Sequence, residues 1–191
     1  LITGSSDRTE ATHATEQLPE RRSPEEQIDA GLMAMKESVA QDLLEMIAHS
    51  TPEFFERLVL DLLYAMEYGE SRAALQHTGR SGDGGIDGII SLDRLGLQKV
   101  YVQAKKWKGQ VGSPEVQGFM GALQLRGADR GVLITSGSIS RPAFEAAEKA
   151  RGAVVLVDGP RLASLMIENG VGVSNKPLAR PEIDNDYFED E

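Results

Sequence analysis

Two apolar, strand-like runs between residues 78 and 105 carry polar side chains that a buried strand would avoid. The first reads IDGIISL over 86–92, follows a glycine-rich stretch and contains Asp87. The second reads KVYVQAKKW over 99–107 and contains Gln103 and Lys105, which share one face of a strand because side chains alternate. The turn-like residues between the runs predict an antiparallel hairpin, in which a suitable register brings Asp87 to the other two. This conflict between pattern and polarity predicts a functional site.

The remaining chain alternates predicted helices and strands. The helices are recognised by Ser/Thr-Pro starts and by apolar residues spaced three to four apart, and the strands by short apolar runs. Helices are predicted to start near residues 24, 52, 113, 141 and 159, and strands to cover 130–135 and 154–157. Gly69 suits the C-terminal cap of the second helix. Strands separated by helices predict an α/β fold, a three-layer domain whose central mixed β-sheet is flanked by helices. A long N-terminal helix precedes that domain.

Composition divides the chain into four segments. We expect a disordered leader or linker over 1–23, a connecting helix over 24–48, the main domain over 49–175 and an acidic tail over 176–191. A chain that opens on Leu instead of Met also suggests that something upstream has been removed.

Residue content limits the chemistry. The absence of cysteine excludes disulfides and thiolate metal sites, and three histidines argue against a histidine-built zinc site. Oxygen ligands therefore remain for any metal. No run approaches the length of a membrane span and no signal segment opens the chain, so we expect a soluble, cytoplasmic protein with no membrane partner.

The formal charge of −10 is concentrated at the two ends of the chain. The first 29 residues hold seven acids and three bases, and the last twelve hold six acids and one base. The middle, 30–179, is left with 17 acids and 16 bases, and no acid lies between Arg94 and Lys108, a window that holds five bases. Net charge is therefore no argument against a DNA partner.

An ordered series of motifs resembles the catalytic domain of the Mrr-type restriction endonucleases, a branch of the PD-(D/E)XK nuclease superfamily. The series is TPEFFERLV at 51–59, GRSGDGGIDG at 79–88, VQAKKW at 102–107, GSPEVQ at 112–117 and GVLIT at 131–135. The likeness extends from about Pro24 to Gly172. It implies a restriction-endonuclease-like fold and cleavage of DNA.

The resemblance implies a catalytic set of Glu56, Asp87, Gln103 and Lys105. Asp87, Gln103 and Glu56 would hold Mg²⁺, for which Mn²⁺ can substitute, and Lys105 would orient water and stabilise negative charge. Gln103 departs from the acid usual in the superfamily, although glutamine is normal in this branch. The sequence alone also allows an alternative in which Glu56 is an ordinary surface residue, Glu53 is the acid of the capping turn, and neither binds metal. Gln103 and Lys105 would otherwise be the solvated face of an edge strand.

Residues around this set are predicted to contact DNA. The glycine loop lacks the Gly-Lys-Ser/Thr ending of a Walker loop and is interpreted first as a tight approach to the start of the strand. Backbone contact of Gly84 and Gly85 with DNA phosphate is the further expectation. Lys106 and Lys108 are placed for phosphate contact, with a solvated rim as the alternative. Trp107 is interpreted as a packing residue.

The leading hypothesis is a Mg²⁺-dependent restriction endonuclease acting on double-stranded DNA, with methylated DNA as the target that the resemblance implies. One alternative is a DNA-binding module of the same fold with weak or no catalysis, and another is a repair or recombination nuclease on structured DNA. Cutting both strands favours a homodimer. The resemblance implies an N-terminal winged-helix domain for DNA recognition, and we expect the residues before Ser23 to be too few to form one.

Overall fold

The computed structural model describes residues 22–69, 71, 74–78, 85–150, 152–179 and 181–189. Most of the predicted leader and Gly84 lie outside these residues. The chain divides into two compact units, Leu1–Ala34 and Met35–Glu191. The first described helix begins in the smaller unit and ends in the larger one.

Five α-helices and seven strands are described. The helices are α1 (Pro24–His49), α2 (Pro52–Ala65), α3 (Ser113–Leu125), α4 (Arg141–Glu148) and α5 (Gly159–Glu168). The strands are β1 (Leu75–His77), β2 (Gly88–Ser91), β3 (Lys99–Lys105), β4 (Gln110–Val111), β5 (Arg130–Thr135), β6 (Ser138–Ile139) and β7 (Ala153–Val157). A short 3₁₀ turn, Asp186–Phe188, lies in the predicted acidic tail. No helix within these described stretches is both long and apolar enough to cross a membrane.

A five-stranded mixed sheet in the order β1-β2-β3-β5-β7 forms the centre. The strands β2 and β3 pair antiparallel, as the hairpin prediction requires. The strand β1, which was not predicted, pairs antiparallel with β2, and β3, β5 and β7 pair parallel. The parallel connections contain helices because such strands need crossovers. Two residues each of β4 and β6 form a separate small parallel pair.

Two hydrophobic cores cover the two faces of the central sheet. One core joins α2 and α5 and the end of α1 to inward residues such as Ile90 and Val102. The other joins α3 and α4 to residues that include Leu133, with Ile89 and Tyr101 packed against it. Alternation along β3 thus sends neighbouring side chains to different cores. The three-layer α/β fold with a long N-terminal helix, predicted from the sequence, is confirmed.

Helix starts follow the predicted capping chemistry. Ser23 and Glu26 exchange backbone-to-side-chain hydrogen bonds at the start of α1, and Thr51 Oγ1 accepts from Phe54 N at 3.2 Å at the start of α2. The C-terminal end of α2 differs from expectation. Glu67, two residues before Gly69, takes the left-handed position after the last helical turn, with a φ of 64°. Tyr68 N donates to Leu63 O and closes this turn.

Candidate active site

Asp87 ends the pairing between β2 and β3. Its backbone N–H donates to Val102 O at 2.8 Å, and its carboxylate Oδ2 accepts from Ala104 N at 2.8 Å. The side chain therefore supplies the acceptor that a continuing strand would have offered to Ala104. The backbone of Ile86 is occupied elsewhere, since Ile86 O accepts from Thr78 Oγ1 at 2.7 Å. These contacts place the Asp87 carboxylate against the backbone of Ala104, the residue that follows Gln103, at the open end of the hairpin.

Gln103 presents a buried acceptor at the same place. The residue is 6% exposed, and Nε2 donates to Gly85 O at 2.6 Å. Because a carbonyl oxygen can only accept, this bond assigns the nitrogen of the amide to Gly85 and turns Oε1 away from it. Oε1 is buried without a hydrogen-bond partner. A buried polar atom of this kind calls for a ligand, an ion or a water.

Lys105 shares the face of Gln103, two residues further along β3. Val102 and Ala104 pack towards the core of α2 and α5, so Gln103 and Lys105 lie on the other face of the strand. The Lys105 ammonium lies 4.8 Å from the ring centroid of Trp107. The structure thus brings Asp87, Gln103 and Lys105 to one end of the sheet, as predicted.

Glu56 approaches the same end from α2. The Leu60 side chain packs over Gly88, where an added Cβ would come within 2.7 Å of it. Further along α2, Leu62 and Met66 line a cavity with Ile90 and Val100, so α2 runs from the Asp87 end of the hairpin towards its turn. Glu56 lies one helical turn before Leu60 on the same side of the helix, and it is half-buried. This direction carries Glu56 towards the end of the sheet that holds Asp87, but α2 packs on the face of Val102 and Ala104, opposite to the face of Gln103 and Lys105.

Glu53 serves a different purpose. It is exposed in the first turn of α2, and its own backbone N–H and the Thr51 hydroxyl hold the pKa of its carboxyl below the ordinary value. This matches the alternative in which Glu53 is the acid of the capping turn.

The Mrr_cat family of restriction endonucleases matches residues 47–166. The chain belongs to this Mrr-type restriction endonuclease family. The resemblance inferred from the motifs is therefore confirmed.

Among curated relatives, the chain is 50% identical over 169 residues to the type IV methyl-directed restriction enzyme EcoKMrr of Escherichia coli strain K12. The match covers 88% of this chain and 55% of EcoKMrr, so the chain spans about half the length of that relative.

Two solved restriction endonucleases share the fold of this Mrr-type domain. The DNA modification-dependent enzyme AspBHI is similar at a TM-score of 0.57 and 24% identity, over 71% of this chain and 37% of AspBHI. MspJI, solved in complex with a 27-mer oligonucleotide, is similar at a TM-score of 0.51 and 27% identity, over 69% of this chain and 31% of MspJI. Only part of each enzyme is matched.

The residues predicted to contact DNA have different surroundings. Gly85 is exposed, and its carbonyl accepts a hydrogen bond from Gln103 Nε2. Gly85 therefore has a structural role that is separate from the predicted contact with phosphate. Lys106 is half-buried and Lys108 is exposed, both directly after β3. DNA contact by Gly84, Gly85, Lys106 and Lys108 stays a prediction.

Sequence reasoning missed the residues that support Lys105 from β5. Thr135 is fully buried, and its Oγ1 donates to Lys105 O at 2.8 Å, while Ser136 Oγ donates to Trp107 O at 3.0 Å. Trp107, interpreted from the sequence as a packing residue, is 41% exposed and its ring lies 4.8 Å from the Lys105 ammonium, so it packs at the surface and not in either core. A polar Thr-Ser pair at the end of an otherwise apolar strand was the available signal.

Proposed function

We propose that this chain is a divalent-metal-dependent DNA endonuclease of the restriction type, with Mg²⁺ as its metal and Mn²⁺ as a substitute. The observation that carries the proposal is Gln103 Oε1, which is buried and without a hydrogen-bond partner. The next residue of β3, Ala104, binds the Asp87 carboxylate through its backbone N–H. Leaving such an acceptor unsatisfied costs about 1–3 kcal/mol. A hard cation that accepts oxygen ligands would remove that cost.

The donor set fits a magnesium site that is completed by substrate. Asp87, Gln103 and Glu56 offer two carboxylates and one amide oxygen. Within the part of the chain that the structure describes, no three His, Cys, Asp or Glu side chains are grouped to hold a metal. Mg²⁺ is typically held by one or two carboxylates, with water and substrate phosphate supplying the rest. Metal affinity should therefore rise when DNA is present.

Each residue has a distinct part in phosphodiester hydrolysis. A bound divalent cation would lower the pKa of the attacking water and neutralise charge on the phosphate. The Ala104 N–H holds the Asp87 carboxylate, and the Gly85 carbonyl holds the Gln103 amide, so both ligands are oriented before substrate binds. The Lys105 ammonium orients the water and stabilises the charge that grows on the phosphate oxygens. The water oxygen bonds to phosphorus and loses a proton, the ester bond breaks, and the leaving oxygen gains a proton.

The proposed substrate is double-stranded DNA carrying methylated bases, cut by a homodimer. Support comes from the 50% identical relative, whose name describes a methyl-directed enzyme. Cutting two antiparallel strands requires two active sites, which a two-fold symmetric dimer supplies.

The test compares plasmid cleavage by the wild type, Asp87→Asn and Lys105→Met with Mg²⁺. Asp42→Asn and Lys149→Met change exposed residues outside the site and serve as matched controls. We expect both site variants to lose roughly 100-fold or more in cleavage rate, and both controls to keep wild-type activity. A panel of methylated, unmethylated and branched DNA then separates restriction from repair activity. Equal nicking by all five proteins contradicts the proposal.

A DNA-binding module without turnover is the second candidate function. The amide at position 103 favours it, since a neutral ligand holds a cation more weakly than the acid usual in the superfamily. Binding of DNA that weakens with salt, without cleavage in Mg²⁺ or Mn²⁺, would support this candidate over the nuclease.

A further inference from the structure

Trp107 lies against the side chain that is proposed to act in catalysis. The Lys105 Nζ is 4.8 Å from the centroid of the indole ring, inside the distance of about 6 Å at which a cation is attracted to an aromatic face. Trp107 is 41% exposed, so the ring is not part of either core. Its contact with Lys105 is therefore a feature of the surface at the site end of β3.

The backbones of both residues are held by the end of β5. Lys105 O accepts from Thr135 Oγ1 at 2.8 Å and from Ser136 N at 3.2 Å. Trp107 O accepts from Ser136 Oγ at 3.0 Å. Thr135 at the end of β5 and Ser136 directly after it thus hold the backbone positions from which the Lys105 and Trp107 side chains project.

Gly137 allows this close approach of the two chain segments. A Cβ at position 137 would lie 2.9 Å from Trp107 O and 2.2 Å from Gly109 O, both of them backbone atoms that cannot move aside cheaply. Only glycine lets the chain that follows β5 pass the backbone of the Trp107 segment at this distance. The path of the Trp107 backbone is therefore set by close packing of the two segments.

We propose that Trp107 is a positioning residue for Lys105, whose indole face restrains the ammonium at the site end of β3. The inference rests on the proposed nuclease function of Lys105. A lysine stem has several rotatable bonds, so a free ammonium must be ordered when the phosphate arrives. An indole ring that already restricts the positions of the Lys105 ammonium reduces the entropy lost on reaching the transition state, which favours a higher kcat.

Base stacking on DNA is the competing use of an exposed tryptophan. The two roles predict different kinetics. A stacking residue contributes to DNA affinity, whereas a residue that restrains Lys105 contributes to the rate of the chemical step.

The first experiment reads the contact itself, without metal or DNA. Trp107 is the single tryptophan of the chain, so its emission reports on its own surroundings. Lys105→Met keeps the length of the side chain and removes the charge, and we expect it to change the emission spectrum more than Lys106→Met or the remote Lys149→Met. An effect of Lys105→Met no larger than that of Lys106→Met overturns the proposal.

The second experiment separates kcat from DNA affinity on plasmid DNA with Mg²⁺. We expect Trp107→Leu to lower kcat roughly fivefold with DNA affinity unchanged, and Trp107→Phe, which keeps an aromatic face, to restore most of the rate. Thermal unfolding of each variant checks that the fold is intact. Weaker DNA binding by Trp107→Leu with kcat unchanged overturns the proposal in favour of stacking. A wild type that does not cut defeats the proposed function, while the fluorescence result still decides whether Lys105 contacts Trp107.

Discussion

Gly85 faces the Gln103 side chain so closely that a larger residue cannot be accommodated. Its φ is 80°, in the left-handed region that favours glycine, and a Cβ there would lie 2.1 Å from Gln103 Nε2. Gln103 is held by the Gly85 carbonyl and cannot move without losing that bond. The glycine at the end of the loop is therefore part of what orients the proposed metal ligand.

Gly85→Ala is expected to destabilise the protein by about 2–4 kcal/mol, because it adds backbone strain and breaks the buried Gln103 bond. Chemical denaturation measures the change, and cleavage should fall with it. Gly118→Ala is the matched control: a Cβ at this position in α3 meets nothing within 4 Å, so the helix should gain roughly 0.5–1 kcal/mol. Equal effects of the two substitutions would show that Gly85 is an ordinary loop glycine.

The amide of Gln103 is suited to its position because it both donates and accepts. Gln103→Glu replaces the donor to Gly85 O with a second oxygen in a buried place, so we expect a loss of roughly 2–4 kcal/mol without metal. A carboxylate is also the stronger ligand for a hard cation. Mg²⁺ should therefore raise the Tm of Gln103→Glu more than that of the wild type.

Thermal unfolding with and without Mg²⁺ measures this difference, with Asp87→Asn as the variant that Mg²⁺ should not stabilise. Identical Mg²⁺-induced shifts in the wild type and Gln103→Glu would argue against a cation at position 103.

At the scale of elements, the β2–β3 hairpin sets the register that joins Asp87 to Gln103. The Asp93 carboxylate organises its turn, since Oδ1 accepts from Leu95 N at 2.9 Å and Leu97 N at 3.2 Å, and Oδ2 accepts from Gln98 N. These backbone N–H groups, that of Gln98 foremost, hold the pKa of Asp93 below its ordinary value. The turn predicted at 93–98 is thus stabilised by an ionised side chain.

Asp93→Asn should lower the Tm at neutral pH, because it removes the charge that the N–H groups favour. A lowered folded-state pKa means that Asp93 contributes fully above its unfolded pKa of about 3.9. That contribution is lost as the pH falls through the lower folded value. The Tm difference between the two proteins should therefore shrink as the pH falls from about 4 to about 2, and melting curves that show an unchanged difference over this range would contradict this account.

At the scale of the whole molecule, the fold separates the basic window into two groups. Lys99 begins β3 and Lys105 ends it, which sets them roughly 20 Å apart in an extended strand. Arg94 lies in the hairpin turn beside the Lys99 end, whereas Lys106 and Lys108 follow Lys105 at the site end. The five bases thus do not act as one surface.

The double variant Lys106→Ala, Lys108→Ala should lower the slope of log Kd against log salt by about 2 for a duplex, since each phosphate contact contributes about 0.9. DNA binding measured across a salt series gives the slope. Lys99→Ala, at the far end of the strand, is the matched control and should leave the slope unchanged. A larger change for Lys99→Ala than for the double variant would place the DNA on the other end of the sheet.

Local chemistry determined much of this protein. Ser23, Thr51 and Ser140 begin helices because their side chains cap free N–H groups, and apolar runs such as 130–135 form buried strands. The motif residues Asp87, Gln103 and Lys105 could be placed on a hairpin because strand alternation and turn residues are properties of short segments. The fold class follows from this order of elements, and the family follows from the ordered series of motifs.

Only the tertiary structure decided how these elements act on one another. Some elements are too short to show a sequence pattern, namely the three-residue β1 and the small β4–β6 pair. Other contacts join segments about 30 residues apart, as where Thr135 and Ser136 bind the backbones of Lys105 and Trp107. Glu67 took the turn position expected of Gly69, since α2 ends at Ala65 and the chain turns directly after its cap. The unpartnered oxygen of Gln103 likewise exists only because Gly85 binds the other end of the amide in the folded chain. Long-range contacts of this kind have no local signal, since they arise from register and packing between distant residues.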